Sequence, residues 1–163
     1  MIARMATLIP TIGFWVGATA LVLLCVAVRL ESPALTNPPG YRQPDPQSFT
    51  YSATPLSASK LDFEDVEFVA PNGEAVRGWL VPAPSDAKTI AIVALHGRGD
   101  NRTATLGILP MLHDLGAGVL AIDMRENGLS AGTGRGMALG IRESQDAIAA
   151  AAEMRRRGYD KVI

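Results

Sequence analysis

An apolar run that stops abruptly at a glycine constrains this chain more than any other feature. Thr89 to Asn101 reads TIAIVALHGRGDN. Ile90, Ile92, Val93 and Leu95 make a short apolar stretch bounded by turn residues, the pattern of a strand covered on both faces. The stretch ends at His96-Gly97, and a helical pattern follows. A strand that feeds a helix through a glycine-bearing loop belongs to a sheet whose carboxyl edge is a natural place for a site. Backbone N–H groups at such an edge point out of the sheet and can hold an anion.

The flanking sequence extends the pattern. Val66, Phe68 and Ala70 alternate with Glu67 and Val69, as in a half-buried strand. Pro71-Asn72-Gly73-Glu74 is a turn, because Asn-Gly readily supplies positive φ. Ala75 to Val81, carrying Trp79, returns as a second strand. Beyond the central run, Thr103 to Leu115 predicts a helix with Leu106, Leu109 and Leu112 on one stripe. Pro110 should kink it or split it in two, and Gly116 should stop it. Gly118 to Asp123 is another buried strand, and Glu126 to Gly136 a glycine-rich loop. Ile141 to Arg157 is an alanine-rich helix with Arg155, Arg156 and Arg157 at its negative end and Gly158 as its stop. Lys161-Val162-Ile163 opens a third strand. The expected class is α/β: a β-hairpin, then a parallel βαβαβ unit with right-handed crossovers.

The amino terminus is of another kind. Met5 to Val28 carries no charge and is long enough to cross a bilayer core as a helix. An uncleaved signal anchor is the first reading, because the run exceeds the length of a secretory signal. A cleaved signal peptide, with small residues at Ser32-Pro33-Ala34, and a buried core helix are the alternatives. Gly13 and Gly17 form a G-x-x-x-G pair that suits helix pairing or is ordinary membrane-helix composition. Arg4 roughly balances Arg29 and Arg42, so orientation is poorly determined, with the extracytoplasmic side favoured for the domain. Six of the eleven prolines (Pro33, Pro38, Pro39, Pro44, Pro46 and Pro55) follow the run. They predict an extended tether, parts of which Tyr41, Phe49 and Tyr51 could lay on the domain. The expected organisation is an anchor over 1–30, a linker over 31–60 and a folded domain over 61–163.

Composition excludes several functions. A net charge of −1 without a basic patch gives no reason to expect nucleic acid as a partner. Two histidines and one cysteine, Cys25, supply no zinc spacing and no intrachain disulfide, so no metal is expected. A dinucleotide fingerprint fails because Met137 and Leu139 stand where glycines are needed, and no cofactor is expected.

Chemistry concentrates in the loop His96-Gly97-Arg98-Gly99-Asp100-Asn101. Acyl transfer creates a tetrahedral oxyanion, and fixed backbone donors stabilise it. Gly97 would let the backbone turn closely and the Arg98 N–H face a substrate oxygen, with His96 orienting the loop by hydrogen bonding. The alternative is a tight strand-to-helix turn with no chemistry. Gly128-Leu129-Ser130-Ala131-Gly132 matches the G-x-S-x-G nucleophile elbow, but the context is wrong. Met124 to Asn127 separate it from the strand, and the glycines after it cannot open a stable helix. Asp123 is either a general base or an acceptor for the loop that follows it. Glu143 and Asp146 share a helical face and suit a solvated or capping role better than metal ligation. His113 reads as a surface helix residue.

HGRGDNR after one buried strand, AIDMRENGLSAG after the next and RESQDAIAAAAEMRRRGYDKVI beyond resemble the alpha/beta-hydrolase superfamily. The likeness is to serine-aminopeptidase-like and dienelactone-hydrolase-like members, some of them membrane-anchored, and it covers about Asp65 to Ile163. It implies the amino-terminal half of that fold, preceded here by one transmembrane helix. It implies an oxyanion N–H from Arg98, no catalytic role for Ser130, and a small-molecule or peptide acyl substrate. It also implies a serine nucleophile after the fifth strand and an acid and a histidine later still, all beyond residue 163. Glu126-Asn127 stands where many relatives have Gly-His. The resulting expectation is a serine hydrolase of the esterase or peptidase kind, cut before its elbow. The alternative is a catalytically inactive fragment or a membrane-tethered interaction module.

Overall fold

The computed structural model describes residues 19–27, 49–130, 132 and 134–163. The chain divides into two compact units, Met1–Thr36 and Asn37–Ile163. In the first, residues 19–27 are helical, and Leu21, Val22, Leu23, Leu24 and Val26 are all exposed. No helix among the described residues is long and apolar enough to cross a membrane. Most of the expected anchor lies outside the described residues.

The second unit is built on a five-stranded sheet. Its strands are β1 (Glu64–Val69), β2 (Ala75–Val81), β3 (Ile90–Ala94), β4 (Gly118–Asp123) and β5 (Lys161–Val162), in the spatial order β1-β2-β4-β3-β5. β1 and β2 pair antiparallel across a turn in which Gly73 has φ +85° and Ala70 N donates to Glu74 O at 2.9 Å. β2 pairs antiparallel with β4, whereas β3 runs parallel to both β4 and β5. β4 is thus the inner strand that joins the hairpin to the parallel part, and every residue of it is buried.

Helices cover both faces. α3 (Glu143–Arg156) packs Ala149, Ala150 and Met154 against Val66, Ala91, Leu120 and Ile122. On the other face α2 (Leu109–Asp114) buries Leu109 against Val81, Ala94, Val119 and Ala121. The helix expected over Thr103–Leu115 is divided, as Pro110 requires. A 3-10 segment covers Arg102–Ile108, capped by the Asn101 side chain, and α2 begins at Leu109 with the proline in its first turn. Gly116, at φ +85°, ends it.

Four expectations need correction. β3 is only half buried at Ile90, Ile92 and Val93, because one flank meets the two-residue β5 rather than a full-length strand. The linker expected over 31–60 does not stay extended to its end. α1 (Pro55–Ser59) forms there, capped by Thr54, with Pro55 buried at its first turn, where a proline costs no hydrogen bond. Tyr51 does lie on the domain, as its aromatic ring suggests, packing edge-on to Trp79 at 4.8 Å, so chain upstream of residue 61 belongs to the packed domain. The long helix starts at Glu143 rather than Ile141, and Ile141 is exposed.

The fourth concerns Glu143 and Asp146, for which the sequence suggests a solvated or a capping role: both are buried, and Glu143 takes the capping one. Asp146 is fully buried and takes the Arg125 guanidinium through Oδ1 at 2.6 Å and the Arg125 N–H through Oδ2 at 2.9 Å. This pair ties the end of β4 to α3, and Arg125 Nη1 reaches Glu74 in the hairpin turn at 3.0 Å. Glu143 caps the chain leading into its own helix, accepting from Ala138 N at 2.7 Å and Gly140 N at 2.8 Å. Burial pushes its pKa up, but those N–H groups and its own backbone N–H outweigh burial and hold the carboxyl below its usual range.

Two predictions follow from these carboxylates. Replacing one member of a buried ion pair strands the other, so Arg125→Met should destabilise by about 3–5 kcal/mol. The Arg125→Met/Asp146→Leu double variant should recover most of that loss, and urea titration of the three proteins reads the difference. Glu143 has a folded pKa below its unfolded one, so its stabilisation is complete above the unfolded value and is lost as pH falls through the folded one. Glu143→Gln should therefore lower the urea midpoint at pH 7, and the gap to the unsubstituted protein should close under acid.

Candidate functional site

Because β3 and β4 are parallel, the loops that leave their carboxyl ends lie side by side. The loop after β3 runs from Leu95 to Asn101 and is fastened at both ends to β4. At its front, the buried His96 ring accepts the Met124 N–H on Nε2 at 3.0 Å. Its Nδ1 lies 2.7 Å from Gly97 O, which fixes the tautomer with the proton on Nδ1, as donor to that carbonyl. At its rear, Arg102 N donates to Asp123 Oδ1 at 2.8 Å and Arg102 Nε to Oδ2 at 3.1 Å. Between the fastenings, Gly97 and Arg98 are exposed, and a side chain built on Gly97 would meet nothing within 4 Å. The residue with a left-handed backbone is Gly99, at φ +73°. Positive φ is therefore needed at Gly99, and Gly97 borders open space.

Asp123 is the hub of the edge. Its carboxylate is fully buried and accepts from Arg102, from Leu129 N at 2.9 Å and from the Tyr51 hydroxyl. Arg102 is equally buried. Its guanidinium lies 4.6 Å from the centre of the Tyr51 ring and 4.9 Å from that of Trp79. Two ring faces and a carboxylate hold the cation in place of water. Burial, and then the adjoining Asp123 carboxylate, raise the Tyr51 pKa well above the usual phenol range, so it stays a donor. Tyr51 and Arg102 were not candidates from sequence. Their only signal was an aromatic residue near the end of the proline-rich segment and an arginine at the start of a helix.

The G-x-S-x-G match has a structural account. A side chain on Gly128, at φ +50°, would fall 2.1 Å from the Asp123 carboxylate. The Ser130 hydroxyl is buried, donates to Asp123 O at 2.5 Å and accepts from Arg77 N at 2.8 Å, closing the end of the β2–β4 ladder. The glycine gives the aspartate room, and the serine hydroxyl satisfies two backbone groups. Glu126, at φ +63°, adopts the left-handed backbone that glycine takes at no cost, and its buried carboxylate accepts from Gly134 N at 3.1 Å. His113 lies in α2, away from these contacts. No group of three or more His, Cys, Asp or Glu among the described residues could hold a metal ion.

No family model matches the sequence. An uncharacterized protein of Escherichia coli K12, YfhR, is 32% identical over 91 residues, which is 54% of this chain and 30% of that protein. The esterase Pf2001 of Pyrococcus furiosus superposes with a TM-score of 0.59 at 25% identity, covering 76% of this chain and 45% of the esterase. The alpha/beta hydrolase GrgF of Penicillium sp. sh18 superposes with a TM-score of 0.54 at 26% identity, over 63% of this chain and 35% of that one. The chain thus spans less than a third of the length of the curated relative and less than half of these structures. The hairpin joined to a parallel sheet, the loop fastened at the carboxyl end of β3 and these superpositions agree: the chain belongs to the alpha/beta-hydrolase superfamily.

Proposed function

We propose that this chain supplies the oxyanion side of a serine hydrolase that cleaves an ester, amide or similar acyl bond. The observation that carries the reading is the loop after β3, fastened by His96 and Arg102 and open at Gly97 and Arg98. In that role the Arg98 N–H meets the oxyanion that develops when a nucleophile attacks the acyl carbon. A donor held in place by its own fold needs no reorganisation at that moment, which makes such donors effective. His96 acts through the loop alone, since one ring nitrogen accepts from Met124 and the other donates to Gly97. The nucleophile belongs to a turn after β5, beside this loop, and the acid and histidine come later in the chain. The esterase and hydrolase named above support the class of reaction and leave the substrate open.

We also propose that the uncharged run around the helical residues 19–27 anchors the protein in a membrane. Five large apolar side chains of that helix are exposed, and burial in lipid is the favourable outcome for such a surface. The anchor would hold the domain at the membrane through the proline-rich segment. After an alkaline carbonate wash the full chain should stay with the membrane pellet, and release into the supernatant would defeat the anchor.

The hydrolase reading is tested with a fluorophosphonate probe. The 163-residue chain should not be labelled at Ser130. A gene product continued beyond codon 163 should be labelled at the serine of a G-x-S-x-G, found within roughly ten residues of β5. Labelling of Ser130, or a continuation with no such serine in any forward frame, would overturn the assignment.

A further inference from the structure

We propose that Tyr51 is a positioning residue for the His96–Arg102 loop, so that the segment ahead of the sheet forms part of the frame of the site. The proposal rests on the reading of that loop as the oxyanion loop. The loop has two fastenings and two glycines between them, so its path is set where it is held. The front fastening, His96 to Met124, is local to the two strands. The rear one is a network of three residues. The Tyr51 hydroxyl donates to Asp123 Oδ2 and accepts from Arg102 Nε at 3.0 Å, while Arg102 Nε also reaches Oδ2 at 3.1 Å. One hydroxyl therefore satisfies both charged members of the pair. The Tyr51 ring also lies over the guanidinium, edge-on to Trp79, and Phe49 meets the Tyr51 ring edge-on at 4.8 Å. Arg102 Nη1 has only an ion-pair distance of 3.6 Å to Asp65 and no hydrogen bond, so the guanidinium depends on its Nε contacts and the two rings for its place.

Removing the hydroxyl alone should loosen the rear fastening and leave the ring contacts intact. Arg98 is exposed and lies between the fastenings, so tryptic cleavage after it reports loop opening without any need for turnover. In the purified full chain, Tyr51→Phe should speed cleavage after Arg98 by about tenfold, as expected for loss of a hydrogen bond to a charged group. Phe49→Leu, which trims a ring contact and keeps the hydroxyl, should leave that rate nearly unchanged. Titration of the tyrosinate absorption band adds an independent readout. A component well above the usual phenol range should be present in the unsubstituted chain and vanish in Tyr51→Phe.

Equal cleavage of Tyr51→Phe and the unsubstituted chain would overturn the proposal. So would faster cleavage spread equally to Arg135, Arg142 and Arg157, which marks general destabilisation rather than a local hold. If Tyr51→Phe fails to fold, Phe49→Leu and the absorption titration still decide: faster cleavage after Arg98 in Phe49→Leu, or no high-titrating tyrosine, rejects the hydroxyl as the positioning group. These outcomes concern loop geometry alone. They stand apart from the fluorophosphonate result, which concerns the nucleophile.

Discussion

A single buried carboxylate organises the carboxyl edge of this sheet. An unpaired Asp123 at zero exposure would be untenable, because a buried charge without partners costs far more than any one contact returns. Its four interactions, two from Arg102 and one each from Leu129 and Tyr51, fix separate pieces of chain on one point. They hold the start of the 3-10 segment, the turn after β4 and the strand-free stretch before α1. Gly128 exists in its present form to leave the carboxylate room, and Ser130 holds the carbonyl of the same aspartate. A short pattern that resembles a catalytic elbow is thereby explained by the needs of one acceptor.

The parts of the fold legible in the sequence are those set by local signals. The hairpin turn at Asn72-Gly73, the division of the helix at Pro110 and the strand Gly118–Asp123 each rest on residues that act within a few positions of themselves. The fit of β4 between β2 and β3 depends on tertiary pairing, which periodicity alone does not give. Its residues are apolar on both faces, consistent with an inner strand. The misplaced readings share another cause. Asp146 and Glu143 read as a solvated or capping pair on a helix because charge normally marks the solvated face; Glu143 does cap, while Asp146 is buried in an ion pair. Their partners, Arg125 and the backbone of 138–140, come from the preceding loop, and nothing in the local sequence points to them.

The candidate site divides in the same way. The loop at His96–Asn101 stands out because a glycine-bearing turn directly follows an apolar strand. The His96 hydrogen bonds and the packing of Arg102 against the Tyr51 and Trp79 rings do not, since they join residues brought together only by the sheet. Tyr51 sits in a segment whose proline content marks it as tether. Proline content describes what a backbone will not do, and says little about where a neighbouring aromatic ring docks.

The antiparallel seam between β2 and β4 bears on how the domain assembles. β1 and β2 are neighbours in sequence and pair across a short turn. β2 acquires its second partner only after β3, the 3-10 segment and α2 have been made and β4 follows them. As the chain emerges from the ribosome, the hairpin must wait with one edge open while Trp79 and Leu80 lack their cover. An open apolar edge is a template for pairing with the wrong strand. Arg77 lies on that edge and, with its neighbour Glu67 across the hairpin, puts a charged pair beside the waiting surface until β4 arrives.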